Sequence, residues 1–207
     1  MVTFASRPSP DENTALPVAK TGERKTQILQ TLAAMLENPK GERITTALLA
    51  ARLDVSEAAL YRHFTSKAQM FEGLIEFIEQ TVFTLVNKIQ AEEKDAMKQV
   101  EQTVTTLLGF AQKNPGMTRV LIGDALVNED ERLQARVNQL IDRLEASLRQ
   151  SARLAVTAGT LPADWDVNAY ANAVIAFVIG RWHQFAKSGF KRTPMDGWAQ
   201  QWRVFAA

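Results

Sequence analysis

The sequence predicts an all-α protein, with an N-terminal helix-turn-helix domain on a larger C-terminal helical domain. Two observations carry that prediction. Apolar residues recur at three- and four-residue spacing along most of the 207 residues, and no stretch alternates as a half-buried strand would. Residues Ile44 to Lys67, ITTALLAARLDVSEAALYRHFTSK, read as two short helical segments separated by a tight turn, the layout of a helix-turn-helix. The expected organisation is a tail over 1–20, the helix-turn-helix domain over 21–67 and the helical domain over 68–207.

Pro8, Pro10 and Pro17 among polar residues make 1–20 a disordered tail. From Thr21 to Glu37, residues Ile28, Leu29, Leu32, Met35 and Leu36 share one helical face, and Asn38-Pro39-Lys40-Gly41 ends the helix. Thr45-Thr46 opens the first segment of the motif, with Leu48, Leu49 and Leu53 as its apolar stripe. Asp54 occupies the turn, where a left-handed residue is wanted. Glycine is usual there, and Asp is among the next most tolerant types. Ser56 starts the second segment, because its oxygen accepts from the unpaired N–H groups of a first helical turn. Leu60 and Phe64, four apart, hold that segment to the core and leave Ala58, Ala59, Tyr61, Arg62 and His63 on the other faces.

A longer helix from Ser66 through Gln90 carries Met70, Leu74, Phe77, Ile78, Val82, Leu85 and Ile89 and links the motif to the rest. Glu92-Glu93-Lys94-Asp95 marks a turn. The next helix, with Val100, Val104, Leu107, Leu108 and Ala111, runs to Asn114-Pro115-Gly116. Glu129 to Arg153 has the most regular pattern, a stripe of Leu133, Val137, Leu140, Ile141, Leu144 and Leu148 edged by charges. Ala158 to Asp164 is a loop. Asp166 to Lys187 is apolar nearly all round, which calls for burial on more than one face, and a short last helix carries Trp198, Trp202 and Phe205.

The second segment of the motif has the chemistry of a DNA reader. Small residues let a helix approach base edges, while Tyr, Arg and His contact phosphates and bases. The predicted contacts are Thr45, Thr46, Ser56, Ala58, Ala59, Tyr61, Arg62, His63 and Lys67, with Thr45 and Ser56 at helix N-termini suited to phosphate. One short helix reads only a few base pairs. Two readers about 34 Å apart on palindromic double-stranded DNA are needed, so a homodimer is expected. Its interface is predicted at Ile175, Val178, Trp182 and Phe185, since the late aromatics exceed what one small core usually requires.

Composition is that of an ordinary globular chain, at 46% hydrophobic and 23% charged residues. Net charge is +1, with nine Lys/Arg against seven Asp/Glu in residues 1–70, a mild basic bias on the reader. Such a balance favours a shaped DNA site over a broad charge field. No cysteine is present, and His63 and His183 lie far apart, so neither a disulfide nor a transition-metal site is expected. Nothing approaches a membrane span or a signal peptide, which fits a cytoplasmic protein. No cofactor and no catalysis are expected: around Asp124, Asp130 or His183, no spacing pairs a nucleophile with a base.

The segment ALYRHFTSKAQMF, with TQILQTLAAMLE before it, resembles the DNA-binding domain of the TetR family. That resemblance implies phosphate contacts for Tyr61, His63 and Lys67. RITTALLA, VSEAALYRHF, GLIEFIE, LLGFAQKNPGMTRVLIGDAL and DERLQARVNQLIDRLEASLRQ further resemble the nucleoid-occlusion branch of the family, from about Lys25 to Arg153 and weakly beyond. The block Asn114 to Arg119 separates this branch from general TetR repressors. It implies a nucleoid-associated protein whose partner is the C-terminal tail of FtsZ, the tubulin-like protein of the division ring. The matching groove positions are Phe77, Leu85, Thr106, Gly109, Lys113 and Asn114, and relatives carry Arg where this chain has Leu85 and Lys113. The alternative on the same fold is a ligand-responsive repressor, its pocket lined by Thr103, Thr105, Thr106 and Gln112.

Overall fold

The computed structural model describes residues 21–38 and 44–206. The predicted tail, and Pro39 to Gly41 of the first helix stop, lie outside the described residues. Among those described, the regular structure is helical throughout. The reader comprises α1 (Thr21–Leu36), α2 (Thr46–Arg52) and α3 (Glu57–Tyr61). The linking helix α4 spans Lys67–Glu92, followed by α5 (Ala96–Lys113) and α6 (Pro115–Leu121). A single 3-10 turn at Asp124–Leu126 leads to α7 (Glu131–Thr157), α8 (Val167–Lys187) and α9 (Trp198–Phe205).

Local chemistry sets most of these boundaries. The hydroxyl oxygens of Thr45, Ser56 and Ser66 accept from Leu48, Ala59 and Gln69 N–H, and Asp95, Asp130 and Asp166 cap α5, α7 and α8 in the same way. Asp54 adopts φ 53°, the left-handed turn residue that the sequence predicts. The predicted helix stop at Asn114-Pro115-Gly116 is instead a junction. Pro115 is the first residue of α6, where a missing N–H costs nothing.

One continuous apolar core runs from Ile28 in α1 to Trp198 in α9, with α4 contributing to both reader and body. Gln99, Thr118 and Ser151, polar side chains buried within it, are hydrogen-bonded. The Gln99 amide donates to the carbonyls of Gln90 (3.3 Å) and Glu93 (2.7 Å) and accepts from Ser151 (2.9 Å), which staples the α4–α5 turn to α7.

The structure corrects the expected dimer contacts. Ile175, Val178, Trp182 and Phe185 are all buried within the single chain. α8 is packed against α5, α6 and α7, and Trp182 reaches far enough to donate its Nε1–H to the Leu107 carbonyl at 3.2 Å. The late aromatics therefore fill the chain's own core: Trp198 donates to Thr105 Oγ1 at 2.7 Å and stacks near Phe177 and Trp202. The face that α8 leaves exposed carries Ala169, Ala173, Ala176 and Gly180. Leu48 also departs from expectation. It is 43% exposed, while Leu49 on the next position is buried.

Candidate nucleic-acid interface and an adjoining groove

The predicted reader residues fall into three groups. Thr45, Ser56, Ala58, Tyr61 and Arg62 are exposed. Thr45 and Ser56 use a hydroxyl lone pair as cap, so each O–H proton is available to donate to a phosphate oxygen. Thr46, Ala59 and His63 are half-buried. Thr46 serves as a brace across the turn, donating to Glu57 Oε2 at 2.5 Å and accepting from the Tyr61 hydroxyl at 3.4 Å. That long second bond leaves Tyr61 only weakly held. In His63, Nδ1 is enclosed and has no partner among the described residues, which leaves Nε2 as the nitrogen that could meet DNA.

Lys67, the third group, already has a partner in the free chain. Its ammonium pairs with the Glu129 carboxylate at 2.5 Å, a partner 62 residues away on the loop before α7, and lies 5.7 Å from the centre of the Phe71 ring. Nothing in the sequence around either residue signals this pairing. Sequence reasoning also passes over Glu57, although its place in the first turn of α3 suits the helix dipole.

Reader and body meet at the Asn114–Arg119 block. α6 approaches α1 at Gly116, where a Cβ would stand 2.0 Å from the Ala33 carbonyl oxygen. Arg119 donates to the carbonyls of Leu36 and Asn38, both at 3.1 Å, and to Asp124 Oδ2 at 2.7 Å. Lys187 on α8 pairs with the other Asp124 oxygen. Desolvation works to raise the Asp124 carboxyl, but hydrogen bonds from Lys187 and Arg119 outweigh it and hold the group below its ordinary value.

Between α4 and α5 lies an open groove of about 490 Å³, lined by Leu85, Thr106, Gly109, Phe110, Lys113 and Asn114 among others. It continues past Leu85 and Thr106 into a second depression of about 400 Å³ edged by Lys88 and Glu92. Five of the six predicted groove residues are thus brought together. Phe77 lines a separate small dimple against Thr26, Leu29 and Gln30 of α1. Two large apolar side chains of α4 point outward instead of into the core, with Phe77 42% and Leu85 41% exposed. Gly109 sits in mid-helix, and a Cβ there would meet nothing within 4 Å. Its own chain gives no packing reason for a residue that costs about 0.5–1 kcal/mol relative to Ala in a helix.

Of the polar residues offered for a ligand pocket, Thr105, Thr106 and Gln112 line this same outer groove, with Thr105 also bonded to Trp198 and the Glu101 carbonyl, whereas Thr103 is buried on the core face. Among the described residues no cluster of three His, Cys, Asp or Glu is placed to hold a metal, and no helix is long and apolar enough to cross a membrane.

A helix-turn-helix on a helical body, joined by one long helix, defines a TetR-type regulator. Residues 40–74 match the model of bacterial regulatory proteins of the tetR family, and residues 94–207 match a tetracyclin repressor-like C-terminal domain. Solved TetR regulators share the fold. One from Haloarcula marismortui has a TM-score of 0.76 at 14% identity, covering 89% of this chain and 97% of that one. PfmR from Thermus thermophilus has 0.71 at 20%, covering 87% and 97%. The nucleoid occlusion factor SlmA of Alteromonas mediterranea is 51% identical over 92% of this chain and 97% of its own length. That of a Marinomonas species is 51% identical over 90% and 95%. The chain belongs to the SlmA family of nucleoid occlusion factors, a branch of the DNA-binding TetR regulators and not a family of enzymes.

Proposed function

We propose that the protein acts as a homodimer on palindromic chromosomal sites and, when bound there, inhibits FtsZ polymerisation over the nucleoid, in the cytoplasm. The observation that carries the partner half of this reading is the α4–α5 groove. Leu85, Thr106, Gly109, Lys113 and Asn114 share one open surface, and Gly109 keeps its floor clear for a peptide. Lys113, exposed and unpaired among the described residues, supplies the cation for an acidic tail. The Asn114 side chain donates to the Phe110 carbonyl at 2.8 Å, which fixes the end of the groove.

DNA is read by the exposed reader set, Thr45, Ser56, Ala58, Tyr61, Arg62 and the Nε2 edge of His63, with Thr46 and Ala59 setting the angle of α3. The dimer forms on the exposed face of α8. Ala169, Ala173, Ala176 and Gly180 are spaced four, three and four apart, a single stripe of small side chains along which a symmetry mate can approach closely. The neighbouring hollow between Trp165, Tyr170, Val204 and Phe205, about 440 Å³, extends that surface.

The deciding experiment is FtsZ sedimentation with the protein, with and without a duplex that it binds. Loss of FtsZ polymer only when DNA is present supports the reading. FtsZ polymer unaffected in both conditions, with chromosomal occupancy confined to one or a few promoters, would replace it by a transcriptional repressor.

A further inference from the structure

We infer that Glu129 acts as an internal stand-in for a DNA phosphate, holding Lys67 off the duplex until a phosphate displaces it and so setting the strength of DNA binding. This rests on the DNA-binding reading above. Lys67 is the first residue of α4, six positions beyond the end of α3, and follows exposed Thr65 and Ser66. The N-terminus of a 26-residue helix adds its own positive end at this point. A cation at such a place, beside the reader, lies where a phosphate backbone would pass. The carboxylate that occupies it comes from the distant body of the protein.

The pair differs from an ordinary surface bridge. Lys88 and Glu92 on α4 stand 4.0 Å apart with side chains 65% and 69% exposed, whereas Lys67 and Glu129 meet at 2.5 Å with 22% and 13% exposure. The second pair is shielded enough to persist at physiological salt. It is also reachable, because the Lys67 side chain keeps part of its surface in solvent. Glu129 is carried on a short loop between Asn128, with φ 65°, and Asp130, the cap of α7. A phosphate that takes Lys67 therefore also releases that loop from the base of α4. Until then Glu129 cancels one positive charge at the DNA face.

The test is a salt titration of duplex binding. A labelled duplex enriched by the protein itself from a random-sequence pool is titrated against the unaltered chain, Glu129→Gln, Lys67→Ala and the double variant. Glu129→Gln should tighten binding by roughly three- to tenfold at low salt and steepen the log–log salt slope by about 0.9, because Lys67 then meets its phosphate without freeing a carboxylate that takes up a cation in turn. Lys67→Ala should change little alone and should erase the gain in the double variant. An unchanged affinity and slope for Glu129→Gln, or a gain that survives Lys67→Ala, overturns the inference. Should Glu129→Gln fail to fold, Glu129→Asp carries the same test, since one methylene fewer weakens the hold on Lys67. Failure of the unaltered chain to enrich any duplex would remove the DNA-binding reading itself.

Discussion

Gly116 lies so close to Ala33 that a Cβ on residue 116 would sit 2.0 Å from the Ala33 carbonyl oxygen. Three residues later Arg119 closes the end of α1 by donating to the carbonyls of Leu36 and Asn38. The reader is thereby fastened to the body by a backbone contact and a cation. The groove ends at the same junction, at Lys113 and Asn114.

Two glycine-to-alanine substitutions should have opposite signs. Gly116→Ala should cost about 1–3 kcal/mol, since the obstacle is backbone and no rotamer relieves it. Gly109→Ala should stabilise by about 0.5–1 kcal/mol through helix propensity, yet weaken FtsZ tail binding by obstructing the groove. Thermal unfolding followed by far-UV circular dichroism checks both. A stabilised Gly116→Ala would contradict the close contact.

Replacing Tyr61 or His63 by Ala should weaken all duplex binding by roughly 1–2 kcal/mol each, as expected for lost phosphate contacts. Helix content should be retained, because α3 is anchored by buried Leu60 and Phe64. Fluorescence anisotropy at physiological salt, with circular dichroism as the folding control, measures this. Unchanged affinity removes these residues from the interface.

Charge placed on the two sides of α8 should act differently. Ala176→Glu or Gly180→Glu, on the exposed stripe, should give folded monomers by light scattering that bind a palindrome poorly. Ile175→Glu or Phe185→Asp should unfold the chain, because an unpaired carboxylate buried in its core costs several kcal/mol. A folded dimer of Ala176→Glu would move the interface elsewhere.

Lys113→Glu should abolish binding of a fluorescent FtsZ tail peptide and leave duplex affinity unchanged, since attraction to a tail carboxylate becomes repulsion away from the reader. Leu85→Arg should tighten binding, because a second cation then faces the same groove. Phe77→Ala, in the separate dimple, should have the smaller effect. Full binding by Lys113→Glu would exclude the groove.

Asp124 links α6 to α8 through Arg119 and Lys187, and its carboxyl titrates below the ordinary value of 3.8. A depressed folded-state value contributes stability that is present above 3.8 and lost as pH falls through the folded value. Acid titration of the unfolding free energy should show this loss below about pH 4. Asp124→Asn should remove its share of the acid-side slope and lower stability at neutral pH. An Asn variant with the same acid-side slope would show that the carboxylate does not contribute.

The all-α class, the reader and its caps are legible in the residues alone, because each depends on local rules. Helical spacing marks apolar faces, Ser and Thr satisfy the first-turn N–H groups, and Asp54 tolerates a left-handed turn. The exposure of Thr45, Ser56, Ala58, Tyr61 and Arg62 follows from the same rules, since the apolar positions of each short helix turn the others outward. The rest is settled by packing. Periodicity shows that a residue is to be buried but not against which surface, so the apolar positions of α8 suggest an interface, and contacts with α5, α6 and α7 turn them inward instead. Pro115 suggests a stop because proline ends a helix as readily as it begins one. Lys67 suggests a phosphate ligand because a long cation carries no record of its partner, and only the fold brings Glu129 to it across 62 residues.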